Sequence, residues 1–364
     1  MRKCEVAGMT RKQKMLMSNL ITYGMVIIAF IVCQLALSGS IDGFKMSRSL
    51  KGQLVPICAW IVMAVSLNLV VGVSGELSLG HAGFMSVGTF SGAVVSGWLL
   101  NAFQMENEPV RLLIAMIAAG VCAGIAGVLI GIPVLRLRGD YLAIVTLAFG
   151  EIIRNVLNCV YINVDGKKLL FGFNNPTLPG KALIAGPQGA VGVDKISTFV
   201  MGFVLIMFTL VVVLNLINSR SGRAIMAIRD SRIAAESVGL NVTKYKMMAF
   251  VISAVLAGMA GALYGLNYST VAASKFKFDT SILVLVFVVL GGIGNIRGSI
   301  IAATLLTILP EMLRAFSNYR MLVYAVVLIV VMLTTNSPFL ASKLATVKSL
   351  LKNKKNTGKE GDAA

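Results

Sequence analysis

Residues 72–92 read GVSGELSLGHAGFMSVGTFSG, a glycine- and serine-rich stretch between two strongly apolar runs. A backbone that interrupts a helix inside a bilayer must line a cavity or be buried in protein, because lipid cannot satisfy its polar groups. A second interruption, GGIGNIRG, lies at residues 291–298. Paired interruptions in the two halves of a chain are typical of a solute pathway through a membrane. We call residues 72–83 the first glycine break and residues 291–298 the second glycine break.

The composition predicts that the solvent of this chain is lipid. Its 364 residues are 57% hydrophobic and 13% charged, with a mean hydropathy of +0.85. Soluble domains carry about 25% charged residues. The net charge of +18 agrees with a membrane protein, because lysine and arginine gather in cytoplasmic loops. We therefore expect membrane lipid around the chain and no nucleic-acid partner.

The apolar runs predict an all-α integral membrane protein with about ten transmembrane helices and two glycine-broken segments. The stretches VVGVSGELSLGHAGF and VLGGIGNIRGSIIAA resemble each other and suggest an internal repeat. G-x-x-x-G repeats at 120–124, 127–131 and 261–265 predict close helix packing, within the chain or against a second subunit. The predicted spans lie near residues 18–37, 53–72, 78–100, 110–133, 140–161, 197–218, 246–268, 279–294, 298–315 and 320–336.

The distribution of basic residues predicts which segments are cytoplasmic. With the N-terminus inside, the predicted cytoplasmic segments hold 19 lysines and arginines, more than the predicted outer loops hold. The positive-inside rule favours this orientation. The chain then divides into a basic cytoplasmic N-terminus (1–17), a transmembrane domain (18–336) and a lysine-rich cytoplasmic tail (337–364). The outer loop 162–196 has too little apolar material for a domain, and it either connects spans or meets an outer partner.

The cytoplasmic loop 219–246 carries the most specific pattern in the sequence, SRSGRAIMAIRDSRIAAESVGLNVTKYK. Asp230 or Ser231 can cap a short helix, and Gly239 can end it. A short helix outside the membrane gains little stability by itself. Its apolar face is expected to dock onto a partner protein or to lie on the lipid surface, and it consists of Ile233, Ala234, Ala235 and Val238.

At this loop the chain resembles the ABC importer permeases of the branched-chain amino-acid type, and within them the M-type permease. Three further blocks are similar to the same family in the same order: 75–93 (GELSLGHAGFMSVGTFSGA), 136–155 (RLRGDYLAIVTLAFGEIIRN) and 289–303 (VLGGIGNIRGSIIAA). The resemblance covers roughly residues 50–335. We call residues 219–246 the coupling loop, because in this family the corresponding loop contacts the ATPase.

The resemblance implies a permease subunit of an importer in the inner (plasma) membrane of a bacterium. Its implied partners are a second, H-type permease, two cytoplasmic ABC ATPases and an extracellular or periplasmic binding protein that delivers a small-molecule solute. Branched-chain or related amino acids are the implied solutes. The residues that match the family's ATPase-coupling element are Arg223, Arg229, Ala234, Ala235 and Gly239.

The sequence predicts no cofactor, metal or catalytic residue in this chain. It contains no G-x-x-x-x-G-K-[ST] phosphate loop, so ATP and Mg²⁺ are expected on the partner ATPases. Its five cysteines are widely spaced without a CxxC pair, and His81 is its single histidine. This composition disfavours a metal site and a membrane-embedded enzyme.

Several polar residues within the apolar segments are candidates for the solute pathway or its gate. Intramembrane ionisable residues usually face a cavity or one another. Glu151 and Arg154 are three residues apart on a predicted helix, which favours a buried ion pair. Glu76 and Arg297 lie in the two breaks and are hypothesised to pair across them. The glycines and serines of the breaks either pack tightly or contact solute. The pathway candidates are Ser74, Gly75, Glu76, Ser78, Gly80, His81, Gly83, Gly291, Gly292, Gly294, Asn295 and Arg297.

A different class of transporter is the alternative at this stage. A secondary transporter driven by an ion gradient needs carboxylates at mid-depth, and Glu76 and Glu151 are its candidates. The requirement for ATP separates this alternative from an ABC importer.

Overall fold

The computed structural model describes residues 11–38, 48–135, 139–175 and 178–313, with the pairs 322–323, 325–326 and 328–329. The chain forms two compact units, residues 1–308 and residues 309–364. Of the second unit, the structure describes the end of one helix and the three pairs. Most of the predicted tenth span (320–336) lies outside the described residues, and the predicted tail (337–364) lies outside them entirely.

The described elements are eleven helices and five short strands. In chain order they are α1 (Arg11–Ser38), α2 (Arg48–Asn68), α3 (His81–Phe103), α4 (Glu108–Val134), α5 (Asp140–Cys159), β1 (Val160–Asp165), β2 (Lys168–Phe173), β3 (Lys181–Ala185), β4 (Ala190–Val191), α6 (Phe199–Asn218), α7 (Arg220–Asp230), α8 (Arg232–Ser237), α9 (Val242–Gly265), β5 (Thr270–Val271), α10 (Phe278–Gly291) and α11 (Ile296–Met312). A π-helical segment, Leu69–Ser74, continues α2 into the first glycine break.

Seven of the described helices are long and apolar enough to cross a membrane, namely α1 to α6 and α9. The helices flanking the second glycine break are shorter, with 14 residues in α10 and 17 in α11. At 1.5 Å per residue, α10 extends about 21 Å, less than the roughly 30 Å of a bilayer's hydrocarbon core. From its first residue to its last, α10 contacts α5, then α3, then α2 and finally α11. The predicted number of ten spans and the predicted internal repeat stay predictions.

The core of the bundle is formed by α3, α4 and α9, which approach closely at glycines. A Cβ added at Gly120 would lie 2.9 Å from the Met259 side chain, and one at Gly127 would lie 2.8 Å from Ala254 Cβ. A Cβ at Gly88 would overlap the backbone of Gly258. The G-x-x-x-G repeats therefore pack within this chain, because small residues let the helix backbones approach.

The prediction of a purely α-helical chain was wrong in the outer loop. Residues 160–191 and 270–271 form an antiparallel five-stranded sheet in the order β2-β1-β3-β4-β5. The hairpin of β1 and β2 turns through two residues, and Gly166 stands first with φ +58°, as hairpin turns with glycine at that position require. Ile162, Val164, Leu183 and Ile184 are buried, so the sheet has an apolar centre of its own.

The sheet and the coupling loop lie at opposite ends of α9. Near its C-terminal end, Ser197 Oγ donates to the Leu263 carbonyl, and the Ile196 nitrogen donates to the carbonyl of Leu266 just beyond it. At its N-terminal end, Val242 packs against α7 and α8. This arrangement places one polar region at each end of the apolar bundle.

Candidate functional site

The coupling loop folds as two short helices with well-formed caps. Ser219 Oγ accepts a hydrogen bond from the Gly222 nitrogen at 3.0 Å and starts α7. Ser231 has an extended backbone that separates α7 from α8, and its Oγ accepts from the Ala234 nitrogen at 3.4 Å. Gly239 follows α8 with φ +83°, a conformation that favours glycine. Of the two predicted caps, Ser231 is the one that the structure uses.

The apolar residues of α8, together with Val238, which follows the helix directly and is counted with its exposed side, point in two directions, whereas the sequence predicted one apolar face. Ala235 is 5% exposed and packs with Ile228 of α7 and Val242 of α9. Ile233 and Val238 are 82% and 81% exposed, and Ala234 is also exposed. The buried side fixes α8 to its own chain, while the exposed side leaves two large apolar residues available to a partner.

Arg229 connects the coupling loop to the first glycine break. Its Nη1 donates to the Gly72 carbonyl at 2.8 Å, and its Nε and Nη2 donate to Asp230. A Cβ added at Gly75 would lie 2.5 Å from Arg229 Cγ, so glycine is needed for this approach. By contrast, the exposed Arg223 donates to the Asn218 carbonyl just before its own helix, at 3.2 Å, and to no other residue that the structure describes. The two arginines that matched the family pattern therefore have different structural roles.

The two glycine breaks, which lie near opposite ends of the sequence, are in direct contact. A Cβ at Gly72 would overlap the Gly294 nitrogen, and Gly294 has φ +81°. Asn68 Oδ1 accepts from the Gly294 nitrogen at 2.8 Å, and Asn68 Nδ2 donates to Ser299 Oγ at 2.9 Å. Asn68 is 1% exposed. A buried amide that bonds both its oxygen and its nitrogen across the breaks fixes their contact.

The second glycine break is itself a tight turn between α10 and α11. The Asn295 nitrogen donates to the Gly292 carbonyl at 2.9 Å, and Gly292 has φ +91°. A Cβ at Gly291 would overlap Ser299. The glycines of this break are therefore required by backbone conformation and by the close approach of α11.

Sequence reasoning did not identify Asn68 as part of the site. The signal was present, because Asn68 is an amide within the apolar run AVSLNLVV at 64–71. A buried polar side chain in such a run needs a hydrogen-bond partner.

The hypothesised ion pair between Glu76 and Arg297 was wrong. Glu76 Oε1 binds Lys246 Nζ in the first turns of α9, and Arg297 Nε donates to Thr22 Oγ1 of α1 at 2.7 Å. Both partners of the Glu76–Lys246 pair are largely buried. Since Lys246 is the last residue of the coupling loop, this pair is a second link between that loop and the first glycine break.

The remaining residues of the first glycine break are closely packed in the described state. His81 is 2% exposed, and its Nε2 lies 2.8 Å from Ser66 Oγ. Because Ser66 Oγ donates its own proton to the Met63 carbonyl, the hydrogen-bond network assigns a proton to His81 Nε2. Ser74 is buried, and a Cβ at Gly80 would overlap the Thr146 carbonyl. A Cβ at Gly83 would lie 3.0 Å from Gly150.

Ser78 differs from its neighbours in the first glycine break. It is 1% exposed, and its Oγ has no hydrogen-bond partner among the residues that the structure describes.

Glu151 and Arg154 lie near the middle of α5 and contact each other. Arg154 Nε donates to Glu151 Oε2 at 2.7 Å, and the side chains of Arg154 and Glu151 are 21% and 32% exposed. Glu151 Oε1 also accepts from the Phe278 nitrogen at the start of α10, at 3.3 Å. The pair is thus partly open to its surroundings. Across the described ranges, no cluster of three or more His, Cys, Asp or Glu side chains is arranged to hold a metal ion.

Comparison with known proteins identifies the family of this chain. The family described as "Branched-chain amino acid transport system / permease component" matches residues 50–332. The high-affinity branched-chain amino acid transport system permease protein LivM of Salmonella typhimurium (strain LT2) is 34% identical over 343 residues, which cover 90% of this chain and 75% of the relative. LivM of Escherichia coli (strain K12) is 34% identical over 80% of this chain and 69% of its own length.

Sugar permeases are also similar. The ribose import permease protein RbsC of Escherichia coli (strain K12) is 30% identical over 76% of this chain and 81% of its own length. No solved structure matches the chain significantly. The match over most of its length, together with the helical bundle and the capped coupling loop, shows that the chain belongs to the branched-chain amino acid transport permease family.

Proposed function

We propose that this protein forms half of the pathway of a bacterial inner-membrane ABC importer for branched-chain amino acids. The family and the branched-chain amino acid transport function of the LivM relatives support the solute class. A second, H-type permease would complete the pathway, and a binding protein would deliver solute at the end of the bundle that carries the sheet. The N- and C-termini would lie in the cytoplasm with the coupling loop.

The single observation that carries the coupling mechanism is the two-sided α8 helix. Its exposed residues Ile233 and Val238 provide apolar side chains for a groove on a cytoplasmic ATPase, while Ala235 fixes the helix to α7 and α9. Helix-in-groove docking uses this kind of short apolar face. Two ATPase subunits would bind ATP and Mg²⁺, and their closure would displace α8.

The links from the coupling loop supply a route from α8 into the membrane. Arg229 holds the Gly72 carbonyl, Lys246 holds Glu76, and Asn68 fixes the two breaks to each other. A displacement of α7 and α8 would therefore be transmitted to both glycine breaks as one packed group. Nucleotide and solute would then favour different members of one set of states, which is the thermodynamic basis of coupled transport.

Reconstituted vesicles test this function. Vesicles that contain both permeases and both ATPases, with the binding protein outside, should accumulate labelled L-leucine when ATP is inside and no ion gradient is present. Uptake should stop when ATP is replaced by a non-hydrolysable analogue. Uptake driven by an ion gradient without ATP would refute the proposal and support the secondary transporter instead.

A pair of substitutions tests the docking surface of α8. Val238→Asp should abolish co-purification of the ATPases while the permease still folds, because Val238 is exposed. Lys168→Asp, at another exposed site in the outer sheet, is the control and should retain the ATPases. If Val238→Asp retained them as well, the exposed side of α8 would not be the docking surface.

A further inference from the structure

The α5 helix is the least covered of the central spans. Only 17% of its span is buried within the chain, against 67% for α9. Its outer half nevertheless carries four polar residues at spacings of three and four, which place them on one face of a helix. We call this set the α5 polar stripe, and it consists of Glu151, Arg154, Asn155 and Asn158.

Two charged members of the α5 polar stripe lie within the length of the span and not at its ends. The helix runs from Asp140 to Cys159 and has 20 residues. With a rise of 1.5 Å per residue, it extends about 30 Å, which is the thickness of a bilayer's hydrocarbon core. Glu151 lies just past the middle of this length, and Arg154 follows one turn closer to the outer end.

Arg154 keeps most of its hydrogen-bonding capacity unused. Its Nε donates to Glu151, and Nη1 and Nη2 have no acceptor among the residues described. The hydrogen bond from Nε to Glu151 therefore holds the guanidinium in place. The N–H groups of Nη1 and Nη2 form a fork that is directed to the surroundings. Such a fork matches a carboxylate with two parallel hydrogen bonds.

This arrangement is incompatible with a lipid-facing surface. Charged side chains and unpaired donors are costly in hydrocarbon, and they normally face a cavity or a polar partner. The preceding helix α4 shows the contrast, because the exposed residues that follow the first turn in its first half are Leu113, Ile117 and Val121, which are all apolar. The α5 polar stripe therefore faces water or a polar group, while the exposed apolar residues Ile152 and Val156 lie beside it on the same half of the helix.

Towards the start of α5, the same face is apolar instead of polar. Ile144 and Ala148, which precede Glu151 on the helix by about two turns and one turn, are exposed and apolar. A molecule aligned with α5 would meet a charged pair above and an aliphatic surface below. An amino acid with an aliphatic side chain has these two parts, a zwitterionic head and an apolar tail.

We propose that the Glu151–Arg154 pair is a contact site for the head group of the transported amino acid, on a face of α5 that lines the pathway. The open fork of Arg154 would bind the carboxylate, and Glu151 would accept from the ammonium group. Asn155 and Asn158 would keep this part of the pathway hydrated. This inference rests on the proposed function, since it assigns the solute of that same importer.

Cysteine accessibility tests whether the α5 polar stripe faces water. The full importer is prepared with the native cysteines replaced by serine, because Cys159 is exposed beside the stripe. Asn155→Cys should react with a charged, membrane-impermeant thiosulfonate, and Leu113→Cys on the exposed apolar face of α4, about as far from the end of its helix as Asn155, should not. Saturating L-leucine with the binding protein and trapped nucleotide should slow the reaction at Asn155→Cys several-fold. If Asn155→Cys were as inert as Leu113→Cys, the stripe would not line a pathway.

Charge variants test recognition of the head group. Arg154→Gln should lower L-leucine uptake by at least about tenfold, because it removes both charge-assisted hydrogen bonds of the fork and one such bond alone corresponds to roughly tenfold, and it should abolish the protection of Asn155→Cys. Arg154→Lys should restore part of both, because it returns the charge without the fork. Lys168→Gln removes an outer positive charge far from α5 and should change neither.

The outcomes separate this inference from the proposed function. Wild-type uptake that requires ATP, combined with undiminished uptake and protection in Arg154→Gln, would overturn the head-group site alone. Loss of assembly of the two permeases in Arg154→Gln, seen as dissociation on size-exclusion chromatography, would assign the pair to the subunit interface and also overturn it. Wild-type vesicles that accumulate nothing with ATP would refute the proposed function itself.

Discussion

Arg229 provides the sharpest test of how the coupling loop reaches the membrane. The substitution Arg229→Gln removes the hydrogen bond from Nη1 to the Gly72 carbonyl, which measures 2.8 Å. Hydrogen bonds to charged groups contribute about 1.5–3 kcal/mol. The Arg229 side chain is 39% exposed, so water screens part of this energy and the lower end, about 1.5 kcal/mol, applies.

That energy is comparable to a complete allosteric coupling. Coupling free energies between sites are typically about 1–3 kcal/mol, and about 1.4 kcal/mol corresponds to a factor of ten. We therefore expect Arg229→Gln to lower L-leucine uptake by about tenfold at saturating ATP. The ATPases should still assemble with the permease, because the exposed side of α8 is unchanged, and ATP hydrolysis without solute should continue.

The assay measures uptake and ATP hydrolysis in the same vesicles, so that the number of solute molecules moved per ATP is obtained directly. Arg220→Gln is the matched control, because Arg220 is an exposed arginine at the start of the same helix. The reasoning is refuted if Arg229→Gln keeps the wild-type ratio, or if Arg220→Gln reduces it equally.

Two further predictions concern the contact between the breaks. Gly72→Ala should lower the thermal unfolding temperature and slow uptake, because its Cβ would overlap Asn68 and Gly294. Gly24→Ala in α1 is the control in the same melting assay. It should be neutral, because a Cβ at Gly24 has nothing within 4 Å. Asn68→Leu should destabilise the fold by roughly 1–3 kcal/mol, since it removes both hydrogen bonds of a buried amide, to the Gly294 nitrogen and to Ser299 Oγ. Equal melting curves for Asn68→Leu and wild type would show that this amide is not needed.

The apolar spans of the bundle were predictable because their signal is local. Runs of about 20 apolar residues identify membrane helices one at a time, and α4, α6 and α9 lie close to the predicted ranges. The start and the end of α8 were predictable for the same reason. A capping serine before the helix and a glycine after it act within a few residues.

The sheet was missed although its signal was partly present. The stretch VYINVDGKKLLFGF at 160–173 has strand-forming residues on both sides of an Asp-Gly pair, which is a short-range hairpin signal. The small number of apolar residues in the following segment 174–196 outweighed it. The fifth strand, β5, follows α9 much later in the chain and pairs with β4 at the edge of the sheet. No local sequence pattern predicts that pairing.

The sequence identified the residues of the two breaks, but it did not predict which of them contact each other. The two breaks were identified by their glycines, but their direct contact depends on Asn68 and Gly294, which are 226 positions apart. The partner of Glu76 was misjudged because Lys246 and Arg297 are equally plausible from sequence. Choosing between them requires knowing that α9 begins beside the first glycine break.

The central claim is that α8 and the first glycine break move together when the ATPases close. Spin labels on Ser237 of α8 and Leu77 of the break, both exposed, report this directly by electron paramagnetic resonance in the complete importer and leave the docking residues Ile233 and Val238 unchanged. The account predicts that the distance between these two labels is the same without nucleotide and with trapped ATP, while the distance from Ser237 to a label at Phe171 in the sheet changes. A change between Ser237 and Leu77 with a fixed distance to Phe171 would contradict it.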